Sequence, residues 1–190
     1  MAPNDQPDNQ PDHLLAEFTR EFRFYKNLAD RALAQVDDTA FFAALDDGET
    51  NSIAVNVKHM GGNLRSRWRD FLTTDGEKPD RHRDSEFELG PEDSREALQA
   101  LWERGWGTLF DTLAGLSPGD LGNTVQIRAE PHTVSRALLR SLAHASYHAG
   151  QIALLARHWK GAGWQTLSVP RGKSEEHNKA TRERWAAGSA

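Results

Sequence analysis

Two histidines four residues apart, His144 and His148 in LAHASYHAGQI (Leu142 to Ile152), are the residues of this chain whose types and spacing most directly offer chemistry. On a helix this spacing puts both imidazoles on one face, where their ring nitrogens can reach a single metal ion. The motif H-E-x-x-H of zinc-dependent proteases uses the same spacing, with a glutamate base after the first histidine. Ala145 stands at that place here, so the built-in base is missing and the protease reading falls. The chain has no cysteine, which excludes disulfides, thiolate zinc sites and a cysteine nucleophile together. Any metal must be held by His, Asp or Glu.

The elements that must position these residues follow from the apolar periodicity. From Asp12 to about Val36, Leu14, Leu15, Phe18, Phe22, Tyr25, Leu28, Ala29, Ala32 and Leu33 recur at intervals of three and four, the stripe of a long amphipathic helix. A short helical piece carrying Phe41 and Phe42 precedes a Gly-containing loop. A second long helix spans Ser52 to Leu72 on Ile53, Val57, Met60, Leu64, Trp68 and Phe71. TTDGEKPDRHRDSEFELGPED is polar and reads as a long loop, of a length that is commonly functional or disordered. A third helix starts near Asp93, where D-S-R-E resembles a capping box closing on Glu96, and runs to Ser117-Pro118-Gly119. The alternation of Val125, Ile127 and Ala129 in TVQIRAEPHTV allows a short extended segment or a small hairpin. Thr133 then caps a fourth long helix that ends near Lys160-Gly161. The expected architecture is all-α: a four-helix bundle with long inter-helix loops and a short hairpin before the last long helix. Residues 1–11 read as a disordered lead-in, 12–178 as the bundle domain and 179–190 as a flexible tail, with Trp164, Leu167 and Val169 available to dock the segment after the fourth helix.

At about 100° per residue, His144, His148 and Gln151 fall along one edge of the fourth helix's apolar stripe. Asn56, His59 and Asn63 form a similar polar edge on the second helix. If the two edges face each other, His59, His144 and His148 make a three-nitrogen site. Two readings stay open on residues alone: that site, or partly buried histidines bonded to their neighbours, with Asn56 and Asn63 at the surface. His13, His82, His158 and His177 read as solvated, His132 as shaping the turn before the fourth helix, and Tyr147 as packing. Arg65, Arg67 and Arg69 point to different sides of their helix and read as a solvated face. The loop acids Asp75, Glu77, Asp84 and Glu86 could supply an acid or base to a bundle-end pocket, but surface solvation is the expectation for all four.

The segments NSIAVNVKHMGGNLRSRW and SLAHASYHAGQIALLARHW, one histidine followed later by H-x-x-x-H with Gly-Gln-Ile, resemble the DinB/YfiT-like superfamily of four-helix bundles. FLTTDGEKPDRHRDSEFE, TVQIRAEPHTV and SVPRGKSEEHN are similar to a subfamily of unknown function, so the resemblance reaches from the first helix to about Asn178. It implies His59, His144 and His148 as ligands of a divalent metal, zinc or nickel, and a homodimer. Characterised relatives in that superfamily include transferases of low-molecular-weight thiols, so a small-molecule substrate, such as a thiol, is implied as a partner; the long loop carries no matching thiol signature.

Three neutral imidazoles leave a coordination position open, as catalytic zinc sites do. Zinc can bring a bound water to a pKa of about 7 or hold a thiolate, so hydrolysis and thiol transfer are both accessible. Nickel also suits imidazole donors. Asn63 and Gln151 are placed to bind substrate, or equally to make polar contacts between helices. A non-catalytic metal-binding bundle is the alternative. Net charge of -5 argues against a nucleic-acid partner, no apolar run reaches the length of a membrane span, and the N-terminal residues lack a signal peptide's basic start, so a soluble cytoplasmic protein is expected.

Overall fold

The computed structural model describes residues 10–186, the side chains of 10–12 and 47 excepted. Four long helices form the frame: α1 (Gln10–Leu33), α3 (Ile53–Trp68), α4 (Arg95–Gly115) and α5 (Val134–Lys160), with the short α2 (Asp38–Phe42) after the first. α3 packs chiefly on α4 and α1 on α5, so the two antiparallel layers close a helical bundle. The strands β1 (Thr124–Ile127) and β2 (Glu130–Thr133) form the hairpin before α5, and a further helix, α6 (Ser174–Ala186), follows the bundle. α1 begins at Gln10, inside the expected lead-in, whose first nine residues lie outside the described ones, as do the last four of the tail.

Local chemistry sets the helix starts. Ser52 accepts from the Val55 amide at 3.2 Å and Thr133 from the Arg136 amide at 3.1 Å, each satisfying a donor that the first turn leaves without a partner. Thr133 is the expected cap of α5. The cap of α4 differs from expectation by one residue: Ser94 accepts from the Ala97 amide at 3.1 Å, while the Asp93 carboxylate accepts from Lys58 Nζ and the Gly90 amide, both at 2.7 Å. Asp93 thereby ties the end of the long loop to α3. α5 stops at Gly161, whose φ of 57° lies in the left-handed region that glycine adopts without steric penalty.

The core lies where the apolar stripes meet. Phe22 stands edge-on to both Trp68 and Trp106, with ring centroids 6.4 Å away in each case. α3 and α4 approach through a glycine contact: a Cβ on Gly105 would lie 2.6 Å from the Gly61 carbonyl oxygen. This close approach fixes α3, which carries His59. Trp164 and Leu167 dock against the core as expected, and Leu167 also offers its carbonyl to Arg31 at 3.0 Å. α6 is polar all round and has no buried residue, which is why periodicity gives no sign of it.

The expected hairpin is present, antiparallel, with Val125 opposite His132 and Ile127 opposite Glu130. Its two-residue turn puts Arg128 and Ala129 at φ of 56° and 60°, unfavourable for side-chain-bearing residues. Asp75 offsets that cost, accepting from the Arg128 amide at 2.8 Å and the Ala129 amide at 2.7 Å. The Gly76 amide donates to Gln126 at 2.8 Å beside it. The 73–92 loop is therefore folded onto the hairpin. Asp75 is a structural clasp, not the solvated acid that its composition suggested.

Candidate metal centre

α3 and α5 bring their polar edges together. His59 Nε2 lies 3.2 Å from His144 Nε2, and His144 Nε2 lies 3.1 Å from His148 Nε2. The three imidazoles can offer ligand atoms that all lie within 4.8 Å of one another. Nitrogens held about 2.0–2.1 Å from one ion stand roughly 2.8–3.4 Å apart across octahedral and tetrahedral geometries. Both separations fall in that span. His59 and His148 are buried and His144 is half-buried.

The outward nitrogens are held as well. His148 Nδ1 is 2.9 Å from Asn56 Oδ1, and the Asn56 amide nitrogen donates to the Ser52 carbonyl at 2.9 Å. The amide is thus oriented, and its oxygen can only accept, so the His148 proton sits on Nδ1. Asn56 is 1% exposed, a buried orienting group rather than a surface residue. His59 Nδ1 lies 2.8 Å from Glu86 Oε2, giving a carboxylate–histidine pair. Arg81 grips that carboxylate with two bonds, Nε to Oε1 at 2.8 Å and Nη2 to Oε2 at 2.7 Å. Burial alone would raise the Glu86 carboxyl, but the bonds from Arg81 and His59 outweigh it and hold the group below the usual carboxylate range.

His59 faces Glu86 and His148 faces Asn56 through Nδ1, so both turn Nε2 toward His144. One proton on His144 Nε2 can bridge to one of them and no more. Nor does a second proton enter readily: burial, then the neighbouring His148 and His59, push the His144 pKa down to about 3, while burial and His59 push His148 down to about 4. A cation would satisfy the lone pairs that protons leave facing each other. The residues fit a metal ion on this chemistry and on spacing.

Sequence reasoning missed the supporting shell. Glu86, expected in solvent, is 6% exposed and comes from a 3-10 turn at Asp84–Phe87, where the Phe87 ring packs 4.7 Å from that of His59. Gly62 makes room for it, since a Cβ there would collide with the carboxylate. Arg67, also expected in solvent, is 8% exposed, and its Nη1 has no partner. Burial, then the nearby Arg140, brings its pKa down to about 10, so it stays charged at neutral pH. Asp84 is fully exposed, as expected.

His59 and His144 open onto a cavity of about 280 Å³, and Asn63 stands on its wall. Gln151 is half-buried beside His148's helix turn, away from that wall, with an Oε1 that lacks a partner. Tyr147 is 62% exposed, its ring centroid 5.0 Å from that of His148 in an edge-to-face contact, rather than packed in the core. His13, His82, His158 and His177 are exposed, whereas His132 is buried at the foot of the hairpin. No described helix is long and apolar enough to cross a membrane.

A family model described as a protein of unknown function, DUF1572, matches residues 9–173. No curated protein and no solved structure matches the chain.

Proposed function

This chain belongs to the DUF1572 family, and we propose that it is a divalent-metal-dependent enzyme, with His59, His144 and His148 as the ligands and zinc or nickel as the ion. The observation that carries the reading is the convergence of three Nε2 atoms, two of them backed at the opposite ring nitrogen, His59 by Glu86 and His148 by Asn56. An ion held by three imidazoles keeps coordination positions open and supplies Lewis acidity to whatever enters from the cavity. The chain's own groups do the rest. Glu86 keeps the His59 proton on Nδ1 and raises the basicity of Nε2; Asn56 does the same for His148; Asn63 holds the substrate from the cavity wall, from which Gln151 stands away. The reaction is thiol-dependent transfer or hydrolysis of a small molecule, the two classes that such a centre serves and that the likeness to DinB/YfiT-like proteins favours. The working form is a soluble cytoplasmic homodimer.

A second reading has its own support. α3 and α5 meet less extensively than α3 and α4 or α1 and α5, so an ion shared by His59 and the α5 histidines would cross-link the sparsest of these packings. In that case the ion is structural and the protein is a non-catalytic, stress-associated metal-binding bundle.

Elemental analysis of protein purified without a metal-affinity tag, beside His59→Ala and His144→Ala, tests the centre. The expected result is about one zinc or nickel per chain, lost in both variants. A wild type that stays metal-free after reconstitution sinks both readings. Metal-dependent turnover of thiol acceptors, esters or amides then selects the enzyme, whereas a large fall in melting temperature on chelation with no turnover selects the structural ion.

A further inference from the structure

The cavity beside the histidines has a composition that the metal centre does not require. Five of its ten lining residues are arginines, Arg67, Arg81, Arg83, Arg128 and Arg140, and none is acidic, in a chain whose net charge is -5. Like charges gathered around a low-dielectric space repel one another unless something neutralises them. The nearby carboxylates do so only in part. Glu86 is taken by Arg81 and His59. Glu77 is shared among three guanidiniums, 3.2 Å from Arg81, 3.3 Å from Arg128 and 3.9 Å from Arg67. Arg140 faces His132 Nε2 at 3.4 Å, and among the described residues no carboxylate pairs with it.

Arg67 is the sharpest case. Its side chain is 9% exposed, its Nη1 is buried without a partner, and a buried donor left in this way costs several times what an exposed one does. Four different segments supply the cluster: Arg67 from α3, Arg81 and Arg83 from the long loop, Arg128 from the hairpin turn and Arg140 from α5. Helix periodicity cannot bring these together by accident of one polar face, and Asp75 spends its carboxylate on holding the Arg128 turn where it is.

We propose that this cavity binds a small organic oxyanion, a carboxylate or phosphate ester, with its charged group among Arg67, Arg128 and Arg140 and its opposite end toward His59 and His144. Guanidinium groups suit this task because their planar donor pairs match both oxyanions in bidentate geometry. The volume of about 280 Å³ admits a metabolite-sized molecule and excludes a polymer. The proposal names the substrate class of the centre described above and rests on that reading for what happens to the ligand, but not for its binding.

The test is calorimetric titration of succinate and of inorganic phosphate, at constant ionic strength, into chelated and metal-loaded wild type, Arg140→Gln and Arg67→Gln. The expected result is saturable binding of at least one probe to the chelated wild type, weakened tenfold or more in both variants. Succinate alone would mark a carboxylate substrate and phosphate alone a phosphate ester. Arg140 is exposed, so its variant keeps the test decisive if the buried Arg67→Gln fails to fold. Metal-replete wild type that binds neither probe overturns the anion site and leaves the metal centre standing. Anion binding by a chain that holds no metal does the reverse. Binding that is equal in wild type and Arg140→Gln also overturns the proposal.

Discussion

Around Phe22, Trp68 and Trp106 the bundle is held by rings in edge-to-face contact, each side chain nearly or wholly removed from solvent, with a single bond from Trp68 Nε1 to Ser141 Oγ at 3.3 Å and the buried Trp106 Nε1 without a partner. Around His59, His144 and His148, on α3 and α5, the arrangement depends on single atoms: Glu86 Oε2, Asn56 Oδ1 and the two Arg81 nitrogens that hold Glu86. The first region is built by non-directional burial, which tolerates small shifts at modest cost. The second is built by directional bonds, from the loop through Glu86 and Arg81 and from α3 through Asn56, where a misplaced oxygen loses its function. One frame therefore serves two kinds of order, and they are expected to fail separately.

The largest effect is expected in the aromatic region. Trp106→Ala removes a buried ring and should lower folding stability by about 3–5 kcal/mol, read from denaturant unfolding, while the folded fraction keeps its metal stoichiometry. Loss of metal in step with stability would show that the two regions are a single unit. Next is Glu86→Gln, which leaves the core untouched. It should weaken metal affinity about 10- to 100-fold in chelator competition, and unchanged affinity would detach Glu86 from the centre. A third effect is one of pH. His144 and His148 have folded pKa values of about 3 and about 4, below the 6.5 of an unfolded histidine. Between these limits the unfolded chain binds protons that the folded, metal-free chain does not. Stability is therefore lost as pH falls from about 6.5 toward 4, by at most about 1.4 kcal/mol per pH unit for each imidazole. Melts of chelated protein should show this slope, and the His144→Asn, His148→Asn double variant should show less of it.

The same contrast explains what the sequence could disclose. Apolar residues recurring at three and four mark the long helices, and the angular positions of His59, His144 and His148 at stripe edges follow from that periodicity. Asn56 falls on the same polar edge, although only the structure shows that it is buried and bonded to His148. Glu86 was not legible, because a loop has no period and its approach to His59 depends on Arg81 neutralising it and Gly62 leaving space. Arg67 reads as solvated from its own helix; what covers it is the loop, since a Cβ on Gly76 would lie 2.9 Å from its Nη1. The cap of α4 slipped by one residue because Asp and Ser compete for that role and Lys58 draws the aspartate away.

Asp75 joins two segments more than fifty residues apart in the chain, receiving both amides of the Arg128–Ala129 turn while the Gly76 amide bonds to β1. The hairpin cannot lift without releasing the loop that carries Arg81 and Glu86. Hydrogen exchange should therefore report the amides of Gly76, Arg128 and Ala129 with one common opening free energy, lower than that of the helices. The rate at which a molecule reaches the histidines would then be set by that joint opening, with Asp75 as its latch, and Asp75→Asn should speed exchange in both segments together.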